Sequence, residues 1–207
     1  MDIKDILAYR DISSSDNSLE ARAMRAGLRL IDESDQTWQS MNALQQGGAR
    51  RAHESLLQGY QDHKLAPIHY KGKVLDFGCG VGGSTYVFAS NAKEVIAVYN
   101  SDSLEALRTL ALPNVSIVEG DGIVLMAQTP DNSFDMVVGY MLGPDNKGDF
   151  INAFYTQANR IIKPDGRILV TSDRNTMNLL TSKYGGNYGG YLPNSNTFIG
   201  RKDPTIK

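Results

Sequence analysis

The stretch Val74–Gly83, VLDFGCGVGG, holds the residues whose types and spacing could do chemistry. Gly78, Gly80 and Gly83 stand in a G-x-G-x-x-G register, the spacing of a dinucleotide-binding loop. Without Cβ atoms, such a loop can turn tightly and bring its backbone close to a ligand. A helix starting near Ser84 would point its free N–H groups back at that ligand. Asp76, two residues before the first glycine, alters the expectation. A carboxylate beside a pyrophosphate cradle repels it, whereas an ammonium group is attracted. The plainer alternative for Asp76 is a helix-capping or turn aspartate.

These residues need a frame, and the chain divides into three zones. Residues 1 to about 70 read as helical, an N-terminal helical cap, with no convincing strand. Asn17 with Glu20 forms a capping-box-like start, and Leu19, Ala23, Ala26 and Leu30 recur at helical spacing. TWQSMNALQQGG predicts a second helix stopped by Gly47 and Gly48, and ARRAHESLLQGYQDH a third, ended before Pro67. From residue 71 onward a second domain is expected to run to residue 207. KVLDF, EVIAVY, VSIVEGD, SFDMVVGYM and RILVTSD read as strands. STYVFASN, DSLEALRTLAL and DFINAFYTQANRIIK read as helices between them, the last one stopped at PDG. Short apolar strands separated by helices predict an α/β fold, a parallel sheet covered on both faces with ligands at the carboxyl ends of the strands. NTMNLLTSKYG predicts another helix, GGNYGGYLPNSN a loop that acts as a lid or lies on the surface, and TFIGRK a closing strand.

VLDFGCGVGG, VEGD, TPDNSFDMVV and RIIKPDGRILV, in that order and spacing, resemble the class I S-adenosylmethionine-dependent methyltransferases over roughly residues 70–173. The family's first motif ends in D-x-G-x-G-x-G, matched here by Asp76, Gly78, Gly80 and Gly82. The resemblance implies a Rossmann-like, mostly parallel twisted sheet of up to seven strands with helices on both faces, and S-adenosylmethionine as cofactor. That cofactor has an ammonium and a sulfonium and no phosphate, which agrees with the charge at Asp76. The resemblance further implies that Asp76 and the Gly78–Gly82 backbone hold the methionine moiety, with Cys79 a filler in the loop. Asp121 of EGDG would accept from the adenine amino group, and Gly122 and Ile123 would line the adenine pocket. The sequence departs from the family at the end of the second strand, where Tyr99 occupies the place of the acid that usually holds the ribose. A tyrosine hydroxyl makes one hydrogen bond, not the charge-assisted pair of a carboxylate. Asp102, or more weakly Asn100, could substitute.

Methyl transfer mainly requires nucleophile, carbon and sulfur in line, plus a base where the nucleophile is a hydroxyl. Tyr140, after the fourth strand, is a candidate both for the cofactor pocket and for catalysis. His53 and His69 are candidate bases, with ordinary surface histidines as the alternative. GYML after that strand is not an N/D-P-P-Y/F signature, and a net charge of −2 gives no basic field for nucleic acid. Asp145 and Asp149 are spaced too loosely to predict a metal site. A small-molecule acceptor is the expectation, with no nucleic-acid or membrane partner. A weakened or regulatory S-adenosylmethionine-binding protein is the alternative. A nicotinamide oxidoreductase ranks lower, because it calls for an apolar residue at 76 and an acid near 99, the reverse of what stands here. The single cysteine, with no apolar leader or membrane-length run, predicts a cytoplasmic protein.

Overall fold

The computed structural model describes residues 18–99, 103–142, 148–186, 189–192 and 196–206. Among them four helices come first: α1 (Leu19–Ala26), α2 (Gln36–Ser40), α3 (Ala43–Gln61) and α4 (Pro67–Tyr70). Strand and helix then alternate through β1 (Lys73–Phe77), α5 (Gly83–Asn91), β2 (Glu94–Tyr99), α6 (Leu104–Arg108), β3 (Val115–Glu119), α7 (Gly122–Gln128) and β4 (Phe134–Leu142). The chain continues through α8 (Gly148–Ile161), β5 (Ile162–Ser172), α9 (Arg174–Tyr184), β6 (Gly189–Leu192) and β7 (Thr197–Arg201). The seven strands form one sheet in the order β3-β2-β1-β4-β5-β7-β6. β1 to β5 run parallel, and β7 lies antiparallel between β5 and β6. This is the expected Rossmann-like arrangement.

The two-residue period of a strand sends neighbouring side chains to opposite faces, and both faces are apolar. Val74, Met136, Val138 and Leu169 pack under α3 and α5, against Ala49, Ala52, Leu56, Leu57 and Val87. Leu75, Phe77, Val137, Ile168 and Val170 pack under α7, α8 and α9, against Met126, Phe154, Met177 and Leu180. Asp76 shares the α3 and α5 face with its apolar neighbours, so its carboxylate enters the core rather than solvent. At the switch between β2-β1 and β4, crossovers leave the sheet on opposite faces, and in folds of this kind the carboxyl ends of the strands at such a switch are where ligands bind.

Four local expectations are corrected. Gly47 and Gly48 do not stop a helix, because α3 runs through both from Ala43 to Gln61. Each glycine costs about 1 kcal/mol in a helix, but burial of the Ala49, Ala52, Leu56 and Leu57 face outweighs it, and Gly48 lets α3 lie directly on Gly83 of α5. The first helix ends at Gly27, in the left-handed conformation, so Leu30 is outside it. Its cap is Ser18, while Asn17 lies outside the described residues. The PDG turn is absorbed into β5, whose register against β4 shifts between Phe134 and Met136. Part of the Gly- and Tyr-rich stretch is a strand, β6, because bare glycine backbone fits where Phe198 of β7 crowds the position of a Gly189 Cβ. Helix α7, which no periodicity announced, starts on the side chain of Asp121.

Candidate functional site

The loop after β1 carries three left-handed glycines, Gly78 (φ 73°), Gly80 (φ 51°) and Gly82 (φ 92°). The backbone therefore uses the D-x-G-x-G-x-G alternation, not the G-x-G-x-x-G spacing. Gly83 is glycine for another reason, since a Cβ there would fall on the Gln45 carbonyl oxygen of α3. The N–H groups of Gly78 and Cys79 both donate to the Val98 carbonyl, at 2.9 and 3.2 Å, tying the loop to β2. A Cβ on Gly80 would meet nothing within 4 Å, so the loop's free side opens to space. Cys79 is buried within the turn. Burial pushes its thiol up, away from the thiolate needed for nucleophilic work.

Asp76 is 0% exposed. Its Oδ2 accepts from Ser84 Oγ at 3.0 Å and from Thr85 Oγ1 at 2.6 Å, both at the start of α5. Its Oδ1 has no partner. Burial pushes the carboxyl up to about 6, against the pull of the two hydroxyls. A buried acceptor without a donor is costly, and this one sits at the foot of the glycine loop. Tyr140, two residues beyond Asp76's β4 partner Val138, is near enough for its hydroxyl to feel the Asp76 charge. That hydroxyl is buried, pushed up to about 12 mainly by desolvation, and hydrogen-bonded to Ser55 of α3. Thr197 at the start of β7 donates to Ser55 at 3.2 Å. Helix α3 thus reaches along the sheet from the glycine loop to β7.

Gln45 fixes this cover. It is buried in the first turn of α3, and its Nε2 donates to Val81 O at 2.9 Å and to Ala106 O at 3.0 Å. Its Oε1 accepts from Asn42 N–H, completing a capping box. One amide therefore joins α3, the glycine loop and α6. Sequence reasoning missed Gln45, Ser84 and Thr85. The adjacent hydroxyls at a helix start were a usable signal; Gln45 had no local one.

The carboxyl ends of β2 and β3 lie side by side, with Tyr99 opposite Glu119. Gly120 N–H donates to the Tyr99 carbonyl at 3.0 Å. Tyr99 is half-buried and packs on the core, so its ring is partly committed to structure. Asp121 Oδ1 caps α7, accepting from Ile123 N at 2.7 Å and Val124 N at 3.3 Å, and the residue is exposed. Gly122 lies flat on the Phe77 ring, where a Cβ would collide. Asn100 and Asp102 lie outside the described residues.

Residues 74–166 match the family described as methyltransferase domain. Over these residues the chain is similar to methyltransferase domains. Domains of this class use S-adenosylmethionine. No curated protein matches the chain. Among solved structures, the PH0226 protein of Pyrococcus horikoshii is 19% identical with a TM-score of 0.58, the match covering 83% of this chain and 94% of that one. It shares the fold. The YcgJ protein of Bacillus subtilis is 25% identical over 57% of this chain, with a TM-score of 0.45. An arsenic(III) S-adenosylmethionine methyltransferase of Chlamydomonas reinhardtii is 26% identical over 52%, with a TM-score of 0.43. The chain spans half or less of these two, 50% and 40% of their lengths.

The fold gathers Asp76, Gly78, Cys79, Gly80, Gly82, Tyr99, Asp121, Gly122, Ile123 and Tyr140 at one end of the sheet. It does not bring the two histidines there. His69 lies on α4, which enters β1 from the amino end, among Arg167, Asp165 and Asp135. Its Nδ1 accepts from Ala66 N–H at 2.9 Å, and burial pushes the ring down to about 4. His53 Nε2 donates to Arg29 O at 3.1 Å, and Arg29 N–H is held by Asn91 at the last residue of α5, its end remote from the glycine loop. Both rings serve the scaffold. Among the described residues no group of three His, Cys, Asp or Glu is placed to hold a metal ion. None of the described helices is long and apolar enough to cross a membrane.

The residues fit the cofactor on a structural criterion. Asp76 Oδ1 is a buried anionic acceptor in want of a donor, and the glycine loop beside it has open space on the Gly80 side. An ammonium group supplies that donor and the compensating charge.

Proposed function

We propose that the chain is an S-adenosylmethionine-dependent methyltransferase acting on a small-molecule acceptor. The unpartnered Oδ1 of Asp76 beneath the left-handed glycine loop carries this reading. Asp76 and the backbone of Gly78, Cys79, Gly80 and Gly82 hold the amino-acid end of the cofactor. Tyr99 meets the ribose, with Asp102, or more weakly Asn100, as its substitute. Asp121, Gly122 and Ile123 frame the adenine. When bound, S-adenosylmethionine supplies an activated methyl carbon on a sulfonium leaving group. The protein's work is then to orient the acceptor and exclude water. Tyr140 walls the crevice on the acceptor side, its hydroxyl held by Ser55. Pushed up so far, that hydroxyl stays protonated at neutral pH, so it donates or orients rather than abstracts a proton.

A small acceptor is favoured because GYML replaces the usual signature of base amino-methylation and the net charge of −2 gives no overall basic field for a nucleic-acid backbone. The helical segment up to about residue 70 acts in this reading as a cap over the domain that follows, and the single free cysteine suits a reducing cytoplasm. Calorimetric titration with S-adenosylmethionine and S-adenosylhomocysteine tests the cofactor, and incubation with methyl-labelled cofactor and fractionated metabolites tests the acceptor. Absence of binding at millimolar cofactor sinks the reading. Tyr99, partly engaged in packing where an acid usually holds ribose, favours a second reading, a protein that binds the cofactor and turns over weakly. Binding without labelled product across the metabolite fractions would support it.

A further inference from the structure

The amino end of the sheet, opposite the glycine loop, holds a cavity of about 230 Å³. His63, Lys64, Arg167 and Arg201 line it together with glycine backbone, and no acidic side chain among the described residues does. Lys64 follows the end of α3, Arg167 lies in β5 and Arg201 ends β7, so three separate parts of the chain converge here.

The cluster is built, not incidental. Arg167 and Arg201 sit directly opposite each other in the antiparallel β5–β7 register. Like charges facing across a ladder are unfavourable. The Arg167 guanidinium is also half-buried and held in place: Nε donates to Lys64 O at 3.1 Å, and Nη1 to Asp165 O at 2.8 Å and Gly166 O at 2.9 Å. These acceptors are neutral carbonyls. Neither Lys64 nor Arg167 enters an ion pair among the described residues, although seven other pairs form. The Asp165 carboxylate is the acid that acts on Arg167 from a distance. The glycines complete the arrangement. A Cβ at Gly190 would fall on the Lys64 ammonium, so the bare backbone of β6 is what lets that group fold over the cavity. A Cβ at Gly186 would meet nothing within 4 Å, which leaves the rim open.

Converging cations with preorganised guanidinium geometry, glycine backbone and no acidic lining are the chemistry of oxyanion recognition. We propose that this cavity is a phosphate site, taking the phosphate group either as the free ion or on a small molecule, at the opposite end of the sheet from the methyl-donor loop. It is independent of the methyl-transfer reading, since none of its residues belongs to the glycine loop or the adenine edge.

The test is calorimetric titration and thermal unfolding of the full chain with inorganic phosphate in chloride buffer. Saturable binding and a raised Tm are expected, with the phosphate affinity unchanged when S-adenosylhomocysteine is also present. Lys64→Gln and Arg201→Gln, which leave the Arg167 hydrogen bonds intact, should each weaken phosphate binding about tenfold and leave cofactor binding as it was. Their Tm in chloride alone shows that the fold survives. Glycerol 3-phosphate separates the two sources: binding comparable to phosphate marks a site for a phosphorylated molecule, and binding of phosphate alone marks a site for the free ion. No saturable binding of either, or unchanged affinity in both variants, overturns the proposal.

Discussion

The Thr85 hydroxyl donates to Asp76 Oδ2 at 2.6 Å while the other oxygen of that carboxylate has no donor. The carboxylate is thus oriented by the protein and left half satisfied. Asp76→Asn keeps an oxygen for Ser84 and Thr85 and removes the charge. Cofactor affinity should fall roughly tenfold to a hundredfold, because a charge-assisted contact is worth roughly 1.5–3 kcal/mol. Calorimetry reads this directly, and an unchanged Kd would leave Asp76 a purely structural residue.

Asp76 also predicts a pH dependence. Its folded-state value is raised to about 6 from 3.8, so the folded protein without ligand binds more protons than the unfolded chain between those values. That contribution to stability is present at low pH and is lost as pH rises through about 6. A cationic ligand needs the ionised form, so cofactor affinity should be greatest above pH 6 and weaken as pH falls below it. His69, pushed down to about 4, acts oppositely on stability, losing its contribution as pH falls from 6.5. Stability curves therefore mix the two groups, and cofactor Kd against pH is the cleaner measurement. Asp76→Asn should flatten that profile.

Gly80 and Gly83 should fail differently when replaced by alanine. At Gly83 the new Cβ strikes the α3 backbone at Gln45, an overpacking that typically costs about 1–3 kcal/mol. A chain of this size loses about 2–4 °C in Tm per kcal/mol. At Gly80 the Cβ meets open space, but the φ of 51° disfavours alanine by about 1 kcal/mol. Gly80→Ala should therefore change cofactor Kd more than Tm, and Gly83→Ala the reverse. Equal effects in both assays would argue against separate roles.

Gln45→Ala removes both hydrogen bonds that tie α3 to the glycine loop and α6. Leaving the Val81 and Ala106 carbonyls unpaired should cost about 1–3 kcal/mol. Amide hydrogen exchange should speed up at residues 78–83 and in the first turn of α3 together. Faster exchange in only one of them would show that Gln45 does not couple the two.

Tyr99→Glu restores a carboxylate to the ribose side. If ribose binding is the weak point, cofactor affinity should rise about tenfold, at some loss of stability from the packing the ring now makes. Unchanged or weaker binding, in a variant that still unfolds cooperatively, would mean that another residue already holds the ribose.

Much of the frame was legible because its signals are local. β1 through β4 and the helices α5, α8 and α9 follow from runs of apolar residues whose period matches one element or the other. Gly78, Gly80 and Gly82 were legible for a similar reason: a left-handed turn needs glycine at a set spacing, whatever lies around it. The amino acids of the Gly- and Tyr-rich stretch were misleading, since β6 exists by pairing with β7 and not by its own propensity.

What local pattern could not carry is the role of residues whose partners are distant in the chain. Gln45 meets Val81 and Ala106, 36 and 61 residues away, and nothing about LQQGG announces it. Gly83 completes a dinucleotide spacing on paper, yet the crossing of α3 over α5 is what requires it to be glycine. Asp76 stood out in the sequence as a charge before glycines. Only the folded core, by removing water and supplying two hydroxyls to one oxygen alone, turns it into a carboxylate that wants a cation. Composition and period depend on neighbours along the chain, while burial and partner choice depend on neighbours in space, and the chemistry of this crevice belongs to the second kind.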